Sequence, residues 1–294
     1  MTAEDYNEDI KKVTEANREA WNEVVPIHLK NRPVDLCERF KEKNFSTLDE
    51  IITDKFNTLG IEGKDIAQLC CNNGRETISL LRMGARTAVG FDISDEAVAE
   101  ARQLAAIAEA DCRFVRTDVY DIDREYYNRF DLIYISIGAL PWLPDLPRFF
   151  EITSAMLRPG GHLVIYESHP VSFMLASEGD QEYDPNDPAK IVYSYFRKEP
   201  WVDNDGIDYY GKTSYKAKTT YNYTIKLMDI LNPIIKGGLE IIEFDEYPHD
   251  TSVCFEHIAG RKLLPLSFIL IAGKNKTRTP TTGLRRANRQ GRGQ

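Results

Sequence analysis

The sequence predicts an α/β fold: a seven-stranded, mostly parallel, doubly wound sheet with one antiparallel strand, an N-terminal helical cap and a β-rich lid insertion. Three observations predict it. Five short apolar runs between residues 66 and 168 are mostly separated by segments of helical period, the pattern of βαβ units. The last two apolar runs, 239–247 and 264–274, have no crossover helix between them and can therefore pair antiparallel. A polar, tyrosine-rich stretch without clear period separates the two sets.

Residues 4–31 place Val13, Ala16, Ala20, Trp21, Val24 and Val25 along one side of one or two helices. A shorter helix over 47–59 begins at a Ser46/Thr47 cap and stops at Gly60, so residues 1–60 form the helical cap. The alternation then begins: strand 66–71, helix 75–84, strand 87–93, helix 94–110 capped by Ser94, and strands 112–117 and 130–138. Helix 144–161, stopped by Pro159-Gly160-Gly161, and strand 162–168 close the parallel series. Continuous apolar runs of this kind suit strands buried on both faces and joined by right-handed crossovers. Residues 169–222 fold as irregular strands and loops, placing a lid at about 170–222 inside a domain of 61–274. A helix over 223–236 ends at Gly237-Gly238, ahead of the two final strands.

Composition narrows the function classes. Hydrophobic residues at 42% and charged residues at 28% are those of a folded globular chain. The longest strongly apolar uncharged run, 263–273, falls short of the about 20 residues a bilayer span needs, and the acidic N-terminus is unlike a secretory signal. Five cysteines, with Cys70 and Cys71 adjacent, read as free thiols of a reducing cytoplasm, so a cytoplasmic location without membrane partners is expected. Seven of the 37 Lys/Arg and none of the 46 Asp/Glu lie in 274–294, so residues 1–273 carry −16. A body that negative repels phosphate backbones and argues against a nucleic-acid partner. The segment 275–294 is expected to be a disordered basic tail. No cluster of Cys and His has the spacing of a metal site.

Ligands of open α/β sheets bind beyond the carboxyl ends of the strands. The first such end, AQLCCNNGRET (67–77), is a small-residue turn running into a helix start, which offers backbone N–H groups to a polar ligand; Asn72, Asn73 and Gly74 suit a left-handed backbone. Strand two ends in GFDIS, with Asp92 eighteen residues after Gly74, and an acid there can accept from both hydroxyls of a ribose. Asp118 follows strand three, where a carboxylate can accept from an exocyclic amine such as that of adenine. Each acid alone reads as a solvated loop residue. Three such features at successive strand ends are the order a nucleoside requires.

These segments resemble the class I S-adenosylmethionine-dependent methyltransferases. QLCCNNGRETISLLRMGA resembles their first motif, AVGFDISDEAVAEAR the ribose-binding segment, FVRTDV the adenine segment and LRPGGHLVIYE the motif before and within strand five. The resemblance covers about 60–170 and, within the superfamily, points to bacterial small-molecule enzymes with a helical cap and an insertion after strand five of their Rossmann-like sheet. It implies S-adenosylmethionine as cofactor. The backbone of Cys70, Asn72, Asn73 and Gly74 would then hold the methionine moiety, Asp92 the ribose and Asp118 the adenine. Ile93 and Val119 would flank the ring, and Ser136 with Ile137 would line the floor beneath the sulfonium. The chain departs from the motif at Gln68, where an acid is usual, and at Cys70 and Asn72, where glycines are. The Gln68 amide is expected to accept a hydrogen bond from the cofactor's amino group.

For the methyl acceptor, Glu167 and His169 in YESHP stand at the end of strand five, each a candidate base or acceptor ligand. The bland readings are that Glu167 bonds a neighbouring backbone amide and His169 braces the turn before Pro170. His28 in the cap is a weaker candidate. Nine of the 31 residues from Tyr193 to Tyr223 are aromatic, either packing the lid or lining an acceptor pocket, and Trp142 either closes that pocket or anchors the next helix. No NPP-type tetrapeptide follows strand four, where the resemblance would place one in enzymes methylating amino groups of DNA or protein, so a small-molecule acceptor is expected. A nicotinamide-dependent oxidoreductase shares the ribose acid but needs a G-x-G-x-x-G that is absent. A nucleoside-binding protein without catalysis is the non-enzymatic alternative.

Overall fold

Residues 3–276 are described by the computed structural model. They open on α1 (Ala3–Asn31), one unbroken helix despite Pro26, followed by the single turn α2 (Leu36–Arg39) and by α3 (Glu50–Leu59). Asp49 caps α3 instead of Ser46 or Thr47, its carboxylate accepting from Ile52 N at 2.9 Å. Thr47 is turned to Ser79 through its amide and hydroxyl. Gly60 ends α3 in the left-handed region, as its position predicts.

The next elements alternate as expected: β1 (Asp65–Leu69), α4 (Arg75–Arg82), β2 (Thr87–Asp92), α5 (Asp95–Ile107), β3 (Cys112–Arg116), β4 (Phe130–Ile135), α6 (Leu146–Met156) and β5 (Leu157–Ser168). After them come the lid strands β6 (Trp201–Asp203) and β7 (Thr220–Asn222), α7 (Leu227–Lys236), β8 (Leu239–Tyr247), the one-turn α8 (Glu256–Ala259) and β9 (Ser267–Lys274). The seven-stranded sheet runs in the order β3-β2-β1-β4-β5-β9-β8. Only β9 is reversed, pairing antiparallel with both β5 and β8, the place where the sequence has no crossover helix. Strand order turns round between β1 and β4, and that switch point fixes where a ligand can sit.

Side-chain alternation covers both faces. Along β4 and β5, Ile133, Ile135, Leu163 and Ile165 join one core with Phe149 and Phe150 of α6 and Ile230 and Ile234 of α7. Leu132, Tyr134, Val164 and Tyr166 point the other way, onto Ile52 and Phe56 of α3 and Leu80 of α4. Around Phe114, α2, α4 and α5 build a third cluster with Leu36, Ile78, Val98 and Leu104.

Four expectations need correction. The sixth helix ends at Met156, not 161, because Arg158 precedes Pro159 and is forced out of the helical region, so Leu157 already belongs to β5. The seventh begins at Leu227, since Tyr223 N is bound to Pro141 O at 2.8 Å in extended chain. The lid is mostly turns, with β6 and β7 of three residues each as its paired strands. The stretch before β9 holds the short α8. Most of the basic tail, 277–294, lies outside the described residues.

Candidate active site

The loop between β1 and α4 does with ordinary residues what glycines usually do. Cys70, Asn72 and Gly74 have φ of 54°, 48° and 67°, three left-handed residues alternating through the turn. Cys71 N donates to Phe91 O at 2.9 Å and Gly74 N to Cys71 O at 2.9 Å, closing the loop on β2 and on itself. Asn72 holds Asn73 N through its side-chain oxygen at 2.7 Å. The Asn73 side chain donates to Glu100 at 3.1 Å, which in turn pairs with Arg32, just past the end of α1, at 2.7 Å.

Asp92 ties two strand ends together. Its Oδ2 accepts from Asn72 N at 2.7 Å and its Oδ1 from Ser94 N at 2.9 Å. Burial pushes its pKa above the usual carboxylate range, and the backbone amides of Ser94, Asn72 and Ile93 oppose that rise. Asp118 caps the short turn that follows β3, accepting from Tyr120 N at 3.0 Å, and burial raises its pKa also. Beside it Val119 is buried and Ile93 half-buried. A groove of about 460 Å³ opens there between α1 and the ends of β2 and β3, lined by Thr14, Ile93, Thr117, Asp118 and Asp121.

Ser136 and Ile137 follow β4, and Ser136 Oγ accepts from Gln68 Nε2 at 3.1 Å. Gln68 is spent inside the protein: its Oε1 accepts from Thr77 Oγ1 at 2.6 Å and its Nε2 also donates to Glu76 Oε2 at 2.7 Å. Thr77 thus takes one of the two lone pairs of the oxygen expected to accept from a ligand amine.

At the end of β5, Glu167 is 1% exposed and holds the loop after β4. Its Oε1 accepts from Gly138 N at 2.7 Å and Ser168 N at 2.8 Å, and its Oε2 from Leu140 N at 3.1 Å. Burial pushes its pKa up to about 7 against these amides and that of Ala139. His169 is equally buried; its Nδ1 accepts from Val171 N at 3.2 Å, so the ring proton sits on Nε2, 3.0 Å from Glu246. Both residues take the bland readings geometrically: amide ligand and turn brace.

Cap and lid meet above these ends. Asn17 accepts from Tyr221 N at 2.7 Å and donates to Tyr221 O at 2.8 Å, and Asn31 donates to Asp208 at 2.8 Å. His28 is buried, its Nε2 lies 2.9 Å from Ile207 O, and its ring stands 4.1 Å from that of Tyr209. Trp142 packs edge-on against Trp21 at 5.3 Å, tying the loop after β4 to the cap.

Residues 66–161 match the family model described as a methyltransferase domain. Beyond those residues the likeness is one of fold, shared with solved S-adenosylmethionine-dependent methyltransferases of low sequence identity. Among solved structures, a Listeria monocytogenes protein assigned to the S-adenosylmethionine-dependent methyltransferases superposes with a TM-score of 0.58 at 16% identity, covering 76% of this chain and 96% of its own. An S-adenosylmethionine-dependent methyltransferase from Clostridium acetobutylicum gives 0.53 at 18% identity, covering 87% and 99%. Magnesium protoporphyrin IX methyltransferase from Synechocystis, solved with bound SAH, gives 0.56 at 15% identity, covering 89% and 100%. No curated protein matches the chain. No helix among the described residues is long and apolar enough to cross a membrane.

The loop after β1 meets Asp92, and Gln68 meets Ser136, so the carboxyl ends of β1, β2 and β4 converge at the switch point. Sequence reasoning missed Glu76, Thr77, Asn17 and Trp21. The acid directly after Gly74-Arg75 was the visible signal for Glu76; the other three are ordinary helix residues until the packing is known.

Proposed function

We propose that this chain transfers a methyl group from S-adenosylmethionine to a small-molecule acceptor. The observation that carries the reading is the left-handed loop Cys70–Gly74 clamped to the Asp92 carboxylate at the sheet's switch point. That loop offers amides and carbonyls to an amino-acid end, Asp92 keeps lone pairs for ribose hydroxyls, and Asp118 in the groove with Ile93 suits an adenine. Bound there, the cofactor would supply an activated methyl carbon, on sulfur, for the lone pair of an acceptor. The chain's own part is to align the two and exclude water, for which Ser136 and Ile137 form the floor and the cap and lid the roof.

Glu167 we read as a positioning residue. Its oxygens are met by the amides of Gly138, Leu140 and Ser168, so it shapes the loop that carries the floor. His169 braces the turn into the lid. The acidic body, and a roof in which Asn17 binds β7 of the lid, favour a small acceptor over a nucleic acid.

Calorimetry tests the reading. Wild-type protein is expected to bind S-adenosylhomocysteine, and Asp92→Ala to weaken it by roughly tenfold or more, as loss of charge-assisted bonds does. No binding by the wild type would overturn it. Methyl transfer to nucleic acid but to no hydroxyl, amine or thiol in a panel of small nucleophiles would overturn the acceptor class.

A further inference from the structure

The usual acid of the first motif is absent at Gln68, yet a carboxylate stands one hydrogen bond away. Gln68 is 1% exposed and both protons of its amide nitrogen have partners, Glu76 Oε2 at 2.7 Å and Ser136 Oγ at 3.1 Å. Its oxygen, received by Thr77, fixes the amide's orientation so that the nitrogen faces Glu76. Glu76 lies in the first turn of α4, where the helix dipole favours a negative charge. The ion pairs of the described residues leave Glu76 with no cation at pairing distance. Arg75, the residue before it, donates to Tyr210 of the lid at 3.3 Å and is likewise without a carboxylate at pairing distance. The start of α4 thus carries a negative group, Glu76, that shares the Gln68 amide with the floor residue Ser136, and a positive one, Arg75, turned to the lid.

We propose that Glu76 supplies the charge the first motif lacks, accepting from the ammonium group of the cofactor's amino-acid end, with Gln68 as the residue that positions it. A zwitterionic ligand end meets matching charges there, and the amide at 68 replaces the usual acid without loss of the site's negative charge. The inference rests on the cofactor reading above and deepens it.

Two ligands separate the claims. S-adenosylhomocysteine carries the amino-acid end; 5′-deoxy-5′-methylthioadenosine keeps the adenosine and sulfur but lacks it. By calorimetry, Glu76→Gln is expected to weaken S-adenosylhomocysteine by roughly tenfold or more and to leave methylthioadenosine unchanged. Combining Gln68→Glu with Glu76→Gln moves the charge by one hydrogen bond and is expected to recover part of the loss. Unchanged affinity for S-adenosylhomocysteine in Glu76→Gln, or an equal loss for both ligands, overturns the proposal while the cofactor reading stands. A wild type that binds neither ligand overturns the cofactor reading and this inference with it.

Discussion

Gly74 shows how much a single missing atom decides. A Cβ built there would lie 2.3 Å from Phe114 Cε1 and 2.9 Å from Ala101 Cβ, and the residue's φ of 67° is one that side chains resist. Cys70 and Asn72 hold similar backbone angles with side chains in place, so strain is tolerated where there is room and not where α4 and α5 close on β3. Gly74→Ala should therefore cost about 2–4 kcal/mol in urea unfolding, from overpacking and left-handed strain together; a cost below about 0.5 kcal/mol would show that the packing relaxes freely. At this scale the sequence was half legible. Asp92 and Asp118 could be placed because each ends an apolar run. The partners of Gln68, Thr77 and Glu76, could not be read because they come from the next helix, and only the packing of α4 on β1 brings them to the amide. Glu167 and His169 could be placed on the correct strand end, but which backbone amides would reach them depends on the path of the loop after β4.

Between elements, the union of cap and lid rests on polar side chains that imitate backbone. Asn17 of α1 offers its amide to both the N–H and the C=O of Tyr221, as a neighbouring strand would, and so gives β7 a partner on its free edge. Its Nδ2 also lies 3.4 Å from Trp142 O, which links the lid to the loop after β4. Asn17→Ala leaves two backbone groups of Tyr221 without these partners, a loss of about 1–3 kcal/mol at the joint. Hydrogen exchange should show residues 201–222 losing roughly tenfold protection or more while β1 to β5 keep theirs. Equal loss everywhere would mean that Asn17 supports the whole fold instead of the lid. The contrast explains what periodicity could and could not reveal. Strands β1 to β5, β8 and β9 bury apolar faces, so the period in the sequence is the period of the core. The lid is held by individual hydrogen bonds and ring contacts, such as Trp201 Nε1 to Thr224 Oγ1 at 3.0 Å, and these leave no period to read.

For the molecule as a whole, the Glu167 carboxyl makes stability depend on pH in a direction opposite to that of most carboxylates. Paired acids have lowered pKa values and stabilise a fold as pH rises, but burial at the centre of the sheet's carboxyl end raises this one from 4.5 to about 7. The unfolded chain releases the proton near 4.5 and the folded chain holds it until about 7, so between these values the folded state binds more protons. Stability contributed by this group is therefore full below pH 4.5 and is lost as pH climbs through 7, by roughly 3 kcal/mol at most. Glu167→Gln removes the titration; it also weakens the hold on Gly138 and Ser168, but by an amount that does not vary with pH. The difference in unfolding free energy, wild type minus variant, should then fall steadily from pH 4.5 to 7.5, measured by urea titration at half-unit steps. A flat difference would mean that the four amides keep the carboxylate ionised throughout. In that case the loop after β4 is held by a full negative charge at every pH, and the floor of the proposed site owes its shape to that charge.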